Sequence, residues 1–320
     1  MHTPEQAGST AVDWRPKVIS PEDRAVSPTA DGLTEVLGDG GPVAELLAEH
    51  AALVLRGFGI TPKTLERVMP LLLADRLAYV HGNSPRTKVG QNVYTSTEYP
   101  RELTISMHSE MSYAARWPAR LLFFCQQAAG TGGATPVVDT SLWYRSLDPV
   151  VREAFADGLR YTQNLHGGRG FGKSWQETFE TEDRDEVDRY LGSAGTDWEW
   201  KAGGGLRVTQ VRPAVVEDPA TGSTLWFNQA DQWHPAALGD EAGAALLRTL
   251  PQTDLPQSVT FADGSPIPAE YVLQIRDRGL ACAIDVDWRT GDLLLIDNVR
   301  VAHGRRPFTG SRRVLVAMSD

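Results

Sequence analysis

Short apolar runs separated by Gly, Pro and Asp dominate the chain after Leu103, and this pattern predicts β-strands. The predicted strands lie at 121–125, 135–138, 159–163, 206–216, 224–228, 280–286, 292–297 and 313–318. Before them, helix-spaced apolar residues predict helices at 42–53 and 62–73, with a strand at 53–58 between the two. Further helices are predicted near 148–156, 183–191 and 268–278. The pattern favours a mainly β fold with helices, a jelly roll or sandwich rather than a doubly wound sheet.

The domain organisation follows from what interrupts this pattern. Residues 1–28 are rich in Pro, Ser, Thr and charge, and we expect a loose N-terminal segment there. No repeat or linker splits the remainder, so residues 29–320 are predicted to form a single domain with a long insertion at about 160–280.

Composition and charge narrow the classes of partner. The 320 residues are 41% hydrophobic, enough for a sizeable core, and the formal net charge is −10. That charge repels phosphate backbones and anionic lipid, so neither nucleic acid nor a membrane is an expected partner. We see no signal peptide, and the two cysteines lie in apolar runs that suit buried thiols. The expected location is the cytoplasm.

A candidate metal site begins at His108-Ser109-Glu110, where side chains two apart on a strand would share a face. With 7 histidines and 41 acidic residues, about one such pair arises by chance, so an exposed charged pair explains it equally well. His303, which follows an apolar strand, supplies a third ligand. Two histidines and one carboxylate are the ligand set of non-haem Fe(II) oxygenases.

Arg312 and Arg313 stand at the start of the last apolar strand. A positive charge buried there needs an anionic partner, and the guanidinium of Arg can form two parallel hydrogen bonds to one carboxylate. Alternation places the two side chains on opposite faces. Spacing alone leaves open which of them points inward, or whether either is simply a solvated strand-start arginine.

These motifs resemble those of the taurine dioxygenase and clavaminate synthase superfamily of Fe(II)/2-oxoglutarate oxygenases. The segments that carry the resemblance are LRGF at 55–58, HSEMSY at 108–113, GGATP at 132–136, DNVRVAHGRRPF at 297–308 and RRVL at 312–315. Within that superfamily, GKSWQETF at 172–179 and WFNQADQ at 226–232 resemble the syringomycin-type amino-acid hydroxylases of non-ribosomal peptide pathways. The resemblance implies a double-stranded β-helix core, which is a cupin-like jelly roll, with helical insertions.

The resemblance also implies roles for individual residues. His108, Glu110 and His303 become the catalytic iron ligands, although most of the superfamily has Asp where this chain has Glu110. Thr135 and Arg313 become the partners of the far carboxylate of 2-oxoglutarate, with Arg313 preferred over Arg312 because the family's arginine directly precedes the aliphatic pair.

The resemblance further implies Fe(II), 2-oxoglutarate and dioxygen as cofactor and co-substrates. The expected substrate is an amino acid or a derivative, either free or tethered to a peptidyl carrier protein. Relatives that halogenate lack the carboxylate ligand, so Glu110 favours hydroxylation. Epoxidation or desaturation at the same iron, a non-catalytic metal-binding jelly roll and a hydrolytic zinc enzyme are the alternatives.

The substrate pocket is the least constrained part of the prediction. Tyr94, Asn228 and Arg305 lie in segments that resemble the family's pocket walls, and Arg305 is expected either to pair with a substrate carboxylate or to form a surface salt bridge. His166 and His234 are more simply explained as structural or exposed residues than as ligands.

A second motif competes for the glycine-rich stretch at 167–174. Its letters, GGRGFGKS, match a phosphate-binding P-loop. The flanking chain predicts short strands and turns rather than a parallel βαβ unit, so a flexible lid loop is the favoured interpretation.

Overall fold

The structure is a computed structural model that describes residues 14–77, 88–90, 92–96, 99–170, 172–238, 245 and 247–320. The strands are β1 (Lys17–Ile19), β2 (Ala52–Leu55), β3 (Lys88–Gly90), β4 (Val93–Thr95), β5 (Ile105–His108), β6 (Arg120–Gln127), β7 (Thr131–Gly132), β8 (Thr135–Asp139), β9 (Leu159–Leu165), β10 (Asp197–Trp200), β11 (Leu206–Arg212), β12 (Val215–Glu217), β13 (Thr224–Trp226), β14 (Gln257–Phe261), β15 (Ile284–Val286), β16 (Leu293–Asp297), β17 (Val301–Arg305), β18 (Phe308–Thr309) and β19 (Arg313–Ser319).

The helices are α1 (Pro21–Arg24), α2 (Ala30–Leu37), α3 (Gly41–His50), α4 (Pro62–Leu72), α5 (Thr140–Ser146), α6 (Pro149–Ala154), α7 (Trp175–Phe179), α8 (Arg184–Ser193), α9 (Ala230–Trp233) and α10 (Ala269–Cys282). Short 3₁₀ helices follow at Pro235–Leu238 and Gln252–Asp254. The helices and strand predicted between 42 and 73 appear as α3, β2 and α4. In the part of the chain that is described, no helix is both long and apolar enough to cross a bilayer.

Two sheets form the frame of the molecule. The described strands of the larger sheet run in the order β1-β2-β16-β6-β19-β4-β3, and those of the smaller in the order β15-β8-β17-β5. Side chains alternate along the central strands: on β16, Leu294 and Ile296 belong to one core and Leu293 and Leu295 to another. Both faces of these strands are therefore buried, which explains their unbroken apolar runs. The predicted jelly-roll fold is confirmed.

Helices α2, α3 and α4 share the second of these cores with the larger sheet. Helix α4 begins at a capping box in which the side chains of Thr61 and Thr64 each accept a hydrogen bond from the other's backbone N–H. Burial of one apolar stripe on each helix closes this side of the sheet.

The N-terminal segment is more ordered than the sequence suggests. The predicted loose stretch 1–28 contains β1, which pairs in parallel with β2, and α1, which begins at a capping box of Ser20 and Asp23. The prediction is therefore wrong for residues 17–24, where pairing with a buried strand supplies order that local composition does not show. Residues 1–13 of that stretch lie outside the described part.

A separate four-stranded sheet, in the order β10-β11-β9-β14, lies within the segment predicted to be an insertion. We call it the insertion sheet. Its own small core joins apolar residues of β9 and β11 to α7 and α8. Helix α9 contacts β14, and both α9 and β5 contact α10, so α9 and α10 connect this region to the smaller sheet.

Candidate metal centre

Strand pairing brings the two candidate histidines together. Strand β17 lies between β8 and β5, and its His303 is directly opposite His108. The two imidazole rings are 4.3 Å apart between centroids, and both residues are buried. Two residues nearly two hundred positions apart in sequence thus meet through one antiparallel register.

Glu110 completes the group just beyond the end of β5. The next residue, Met111, has a left-handed backbone (φ 56°), which turns the chain sharply at this point. One ligand atom from each of His108, Glu110 and His303 lies within 4.8 Å of the others. Glu110 is only 2% exposed. A buried carboxylate facing two imidazoles fits a divalent iron that keeps open positions for other ligands.

The orientation of the His108 ring is fixed from behind. Its Nδ1 lies 3.0 Å from the carbonyl oxygen of Ser106. A ring that donates from Nδ1 to a carbonyl presents Nε2 as the metal-binding nitrogen.

Three side-chain amides hold the ligand-bearing segment 106–110 from outside. Asn298 accepts a hydrogen bond from the Glu110 N–H at 2.7 Å and donates to the Glu110 carbonyl at 3.0 Å. Gln229, at the start of α9, donates to the carbonyl of Ser109 at 2.8 Å. Gln232 of α9 donates to the carbonyl of Ser106 at 3.2 Å. We call these three residues the amide clamp.

A pocket opens beside the two histidines. Apolar groups cover part of it: the Phe123 ring packs 5.0 Å from that of His303, and Val314 and Ile105 lie nearby. Polar groups come from Thr135, Arg305 and Arg312, together with Ser96. The pocket therefore has one apolar wall and two positively charged side chains, those of Arg305 and Arg312.

The choice between the two neighbouring arginines is corrected by the structure. Arg313 is exposed at the start of β19, whereas Arg312 lines the pocket. Its guanidinium donates to the Gly133 carbonyl at 2.9 Å and reaches the Thr135 hydroxyl at 3.5 Å. Thr135, 3% exposed, also accepts a hydrogen bond from the Trp288 indole at 3.0 Å. Thr135 and Arg312 are thus brought together, and Arg313 is not.

Burial gives Arg312 a strong preference for an anionic ligand. Desolvation and, to a smaller extent, the positive charge of nearby Arg305 lower the pKa of its guanidinium to about 10. The group stays protonated at neutral pH. Because Arg312 and Arg305 repel each other, a carboxylate bound beside them would stabilise both positive charges.

Two glycines, Gly304 and Gly132, allow neighbouring backbone segments to approach closely near the pocket. A side chain on Gly304 would place its Cβ 2.5 Å from the Ile105 carbonyl oxygen. Gly132 has a left-handed backbone (φ 67°), and a Cβ there would collide with the Pro307 carbonyl oxygen. The glycines are needed because neighbouring backbones approach closely.

The remaining predicted substrate residues do not converge on this pocket. Tyr94 is buried in the core between the sheets. The Asn228 amide donates to the Ala214 carbonyl and its oxygen accepts from the Ala230 N–H, so it holds the turn before α9. Its role in substrate binding stays a prediction.

Arg305 does line the pocket, but its guanidinium is engaged by the neighbouring loop. It donates to the backbone carbonyls of Tyr99, Pro100 and Leu103. The Phe308 ring lies 5.2 Å from the guanidinium carbon. The prediction of a surface salt bridge is wrong, because Arg305 is buried and its partners are carbonyl groups.

The glycine-rich stretch does not lie in a nucleotide-binding context. Strand β9 before it belongs to an antiparallel sheet, and α7 after it has 5 residues. A P-loop needs a parallel sheet and a long helix, so this alternative is disfavoured. Both ring nitrogens of His166 and of His234 have backbone partners, which agrees with structural roles.

The sequence did not predict the residues that support the site from distant positions in the chain. Asn298 lies in a segment already singled out, yet nothing local indicates that its amide bonds to Glu110. Gln229 and Gln232 likewise lie in the WFNQADQ segment. Trp288, which bonds to Thr135, carries no sequence signal at all.

Comparison with known proteins agrees with this geometry. The family described as taurine catabolism dioxygenase TauD, TfdA family, matches residues 32–318. The dapdiamide synthesis protein DdaC of Enterobacter agglomerans is 37% identical over 294 residues, which cover 91% of this chain and 89% of DdaC. A clavaminate synthase-like protein of Arabidopsis thaliana is 32% identical over 286 residues, covering 85% and 82% of the two chains.

Among solved structures, PvcB of Pseudomonas aeruginosa has the same fold. Its TM-score is 0.54 at 15% identity, with 95% of this chain and 86% of PvcB covered. The family match confirms the resemblance stated from the sequence, together with the predicted iron, 2-oxoglutarate and dioxygen. The chain belongs to the TauD/TfdA family and is an Fe(II)- and 2-oxoglutarate-dependent oxygenase.

Proposed function

We propose that the enzyme hydroxylates an amino acid or an amino-acid-derived molecule in natural-product biosynthesis. The observation that carries the proposal is the buried group of His108, Glu110 and His303, whose carboxylate fills the position that halogenating relatives leave open. The name of DdaC, which places that protein in dapdiamide synthesis, supports a substrate of this class.

Iron would be held by His108, Glu110 and His303, and 2-oxoglutarate by Thr135 and Arg312. When bound, iron and 2-oxoglutarate supply the oxidising power through oxidative decarboxylation of the co-substrate by dioxygen. Arg312 fits the far carboxylate because it is partly buried, charged and within reach of the Thr135 hydroxyl. We assign this role to Arg312 in place of Arg313.

The remaining work of the chain is to orient and to exclude water. The amide clamp fixes the backbone that carries two of the ligands, so they are preorganised before the metal arrives. Phe123, Ile105 and Val314 keep one side of the pocket apolar. A rigid pocket that excludes water can hold one particular C–H bond of the substrate next to the site of oxidation.

The partner and location follow from the same proposal. The substrate is a small molecule, free or carried by a peptidyl carrier protein, and the location is the cytoplasm. The free thiols of Cys125 and Cys282 agree with a reducing compartment.

Two measurements test the proposal. Anaerobic addition of Fe(II) and 2-oxoglutarate is expected to produce a weak visible charge-transfer band, which His108→Ala abolishes. A screen of amino acids and carrier-bound aminoacyl groups by mass spectrometry is expected to find one that gains an oxygen atom with matching succinate release. Loss of two hydrogens would indicate desaturation instead. Absence of the band, with hydrolytic activity on added zinc, would overturn the oxygenase assignment for this chain.

A further inference from the structure

A second cavity lies between the insertion sheet and the segment that follows Glu110. We call it the insertion cavity. It is similar in size to the pocket beside the histidines. The polar side chains of its described wall are those of Tyr113, Gln163, Thr178, Tyr190, Thr196 and Gln210.

The wall of the insertion cavity is continuous with the iron-binding segment. Tyr113 comes three residues after Glu110, and its ring packs 4.8 Å from that of Trp233 on α9. The hydroxyl of Tyr161, on β9, accepts a hydrogen bond from the Gln229 N–H at 3.0 Å. Gln229 in turn holds Ser109. The insertion cavity therefore lies one packing layer away from the metal ligands.

The polar groups on this wall suit amide bonds. On the paired strands β9 and β11, Gln163 lies opposite Val208, and Gln210 follows two positions later on the same face. Hydroxyl groups come from Thr178 and Thr196. Carboxamides and hydroxyls both donate and accept, as a peptide-like ligand requires, while the aromatic rings provide apolar area.

Positive charge stands at the edge of the insertion cavity. Arg212 is two positions beyond Gln210 and so shares its face, and its guanidinium donates to Gln210 at 2.8 Å and reaches Thr196 at 3.5 Å. The Arg212 Nε is buried and has no hydrogen-bond partner among the described residues. Burial raises the pKa of the Tyr190 hydroxyl, and the positive charges of Arg116 and Arg212 oppose that shift.

The charge balance of the wall is unlike that of the whole molecule. None of the described lining residues is acidic, although the chain carries a net charge of −10. The wall itself is neutral, and the charge nearest to it is that of Arg212, which is bonded to two of its residues, Gln210 and Thr196. We assign the anion to Arg212 because its buried Nε donor has no partner among the described residues.

We propose that the insertion cavity binds a part of the organic substrate that carries an anionic group beside an amide bond, with Arg212 as the partner of the anion. This inference rests on the proposed function, because it extends the substrate from the iron into the insertion. It makes Arg212 a specificity-determining residue rather than a catalytic one.

Binding of small probes to the metal-free protein tests this directly. N-acetyl-L-alanine carries an amide and a carboxylate, and N-acetyl-L-alanine amide is its neutral match. In ligand-observed NMR titrations we expect the carboxylate probe to bind about tenfold more tightly, which corresponds to one charge-assisted hydrogen bond. Arg212→Gln should remove the difference, and Arg212→Lys should restore part of it. Equal binding of the two probes would overturn the proposal.

Matched controls locate the site. Arg207→Gln changes an arginine on the opposite face of the same strand, and Arg312→Gln changes the iron-side pocket. Neither should alter the probe preference, and a loss with Arg312→Gln alone would place the probe in the wrong pocket and overturn the proposal. Competition by inorganic phosphate would identify a phosphate as an acceptable anion at Arg212, and its failure would restrict the anion to a carboxylate.

Failure of this inference is distinguishable from failure of the proposed function. The titrations use no iron, so His108→Ala should bind the probe as the unaltered protein does. Substrate-dependent succinate release without any probe preference would sink the insertion-cavity proposal alone.

Discussion

The side-chain amide of Asn298 bonds to both the backbone N–H and the backbone carbonyl of Glu110. Its oxygen accepts from the Glu110 N–H and its nitrogen donates to the Glu110 carbonyl, and the residue is completely buried. The nitrogen also donates to the Pro118 carbonyl at 2.8 Å. The carboxylate that we propose as a metal ligand is therefore positioned by a residue 188 positions away in the sequence.

Replacing Asn298 should weaken metal binding. Asn298→Ala leaves the N–H and carbonyl of Glu110 without these partners, and loss of such an outer support typically lowers metal affinity by about 10- to 100-fold. Titration of Mn(II) followed by electron paramagnetic resonance measures this. Gln274→Ala, which removes an amide bonded to Asp148, serves as the control. Unchanged Mn(II) affinity in Asn298→Ala would mean that these hydrogen bonds are structural only.

The two adjacent arginines should differ sharply. Arg312→Gln is expected to weaken 2-oxoglutarate binding by at least about tenfold, because it removes the buried charge beside Thr135. Arg313→Gln changes an exposed side chain and should leave binding as it is. Titration of the anaerobic charge-transfer band with 2-oxoglutarate compares them. A larger effect of Arg313→Gln would restore the assignment that the structure disfavours.

Asp231 should make stability depend on pH. Burial raises the pKa of this carboxyl to about 6, against smaller lowering effects of the Ser106 hydroxyl and the Arg276 charge. As pH rises through the interval between its ordinary pKa and about 6, the unfolded chain releases the proton and the folded chain keeps it. Folding stability is therefore lost as pH rises, by about 3 kcal/mol once pH exceeds the folded pKa.

Asp231→Asn removes this titration. Relative to the unaltered protein, the variant should gain about 1 kcal/mol in unfolding free energy between about pH 5 and about pH 8. Urea unfolding of the metal-free protein at the two pH values measures the change. A gain in stability that does not depend on pH would show that the substitution does not act by removing an ionisable carboxyl group.

Gly304 should tolerate no side chain. In Gly304→Ala the added Cβ would meet the Ile105 carbonyl oxygen and lie 3.3 Å from the Met107 sulfur, and such overpacking costs about 1–3 kcal/mol. Gly203→Ala is the matched control, since a Cβ there has nothing within 4 Å. Thermal unfolding of both variants compares them, and equal midpoints would contradict the close approach of β5 and β17.

Much of the frame could be predicted because it depends on local pattern. Apolar runs such as 293–296 indicate strands buried on both faces, and the ligand trio follows from residue types together with the family resemblance. The error at Arg312 and Arg313 has a physical cause. Alternation separates the two side chains, but which face turns toward β17 is set by pairing with a distant strand, and a register shift between Arg313 and Val314 adds to the ambiguity.

The amide clamp could not be predicted for the same reason. Asn298 and Glu110 are far apart in sequence, as are Gln229 and Ser109, so no local pattern records their contact. Order in residues 17–24 likewise depends on β2, a partner outside the segment.

The position of Gln229 and Gln232 also limits how this enzyme can be re-engineered. Both belong to the segment predicted to be an insertion, yet their amides hold the segment that carries His108. A chimera that takes a relative's insertion to change its substrate would also replace two supports of the iron site. Grafts that keep 228–233 and exchange only the strands and helices before it should retain the metal, so that selectivity and cofactor retention can be altered one at a time.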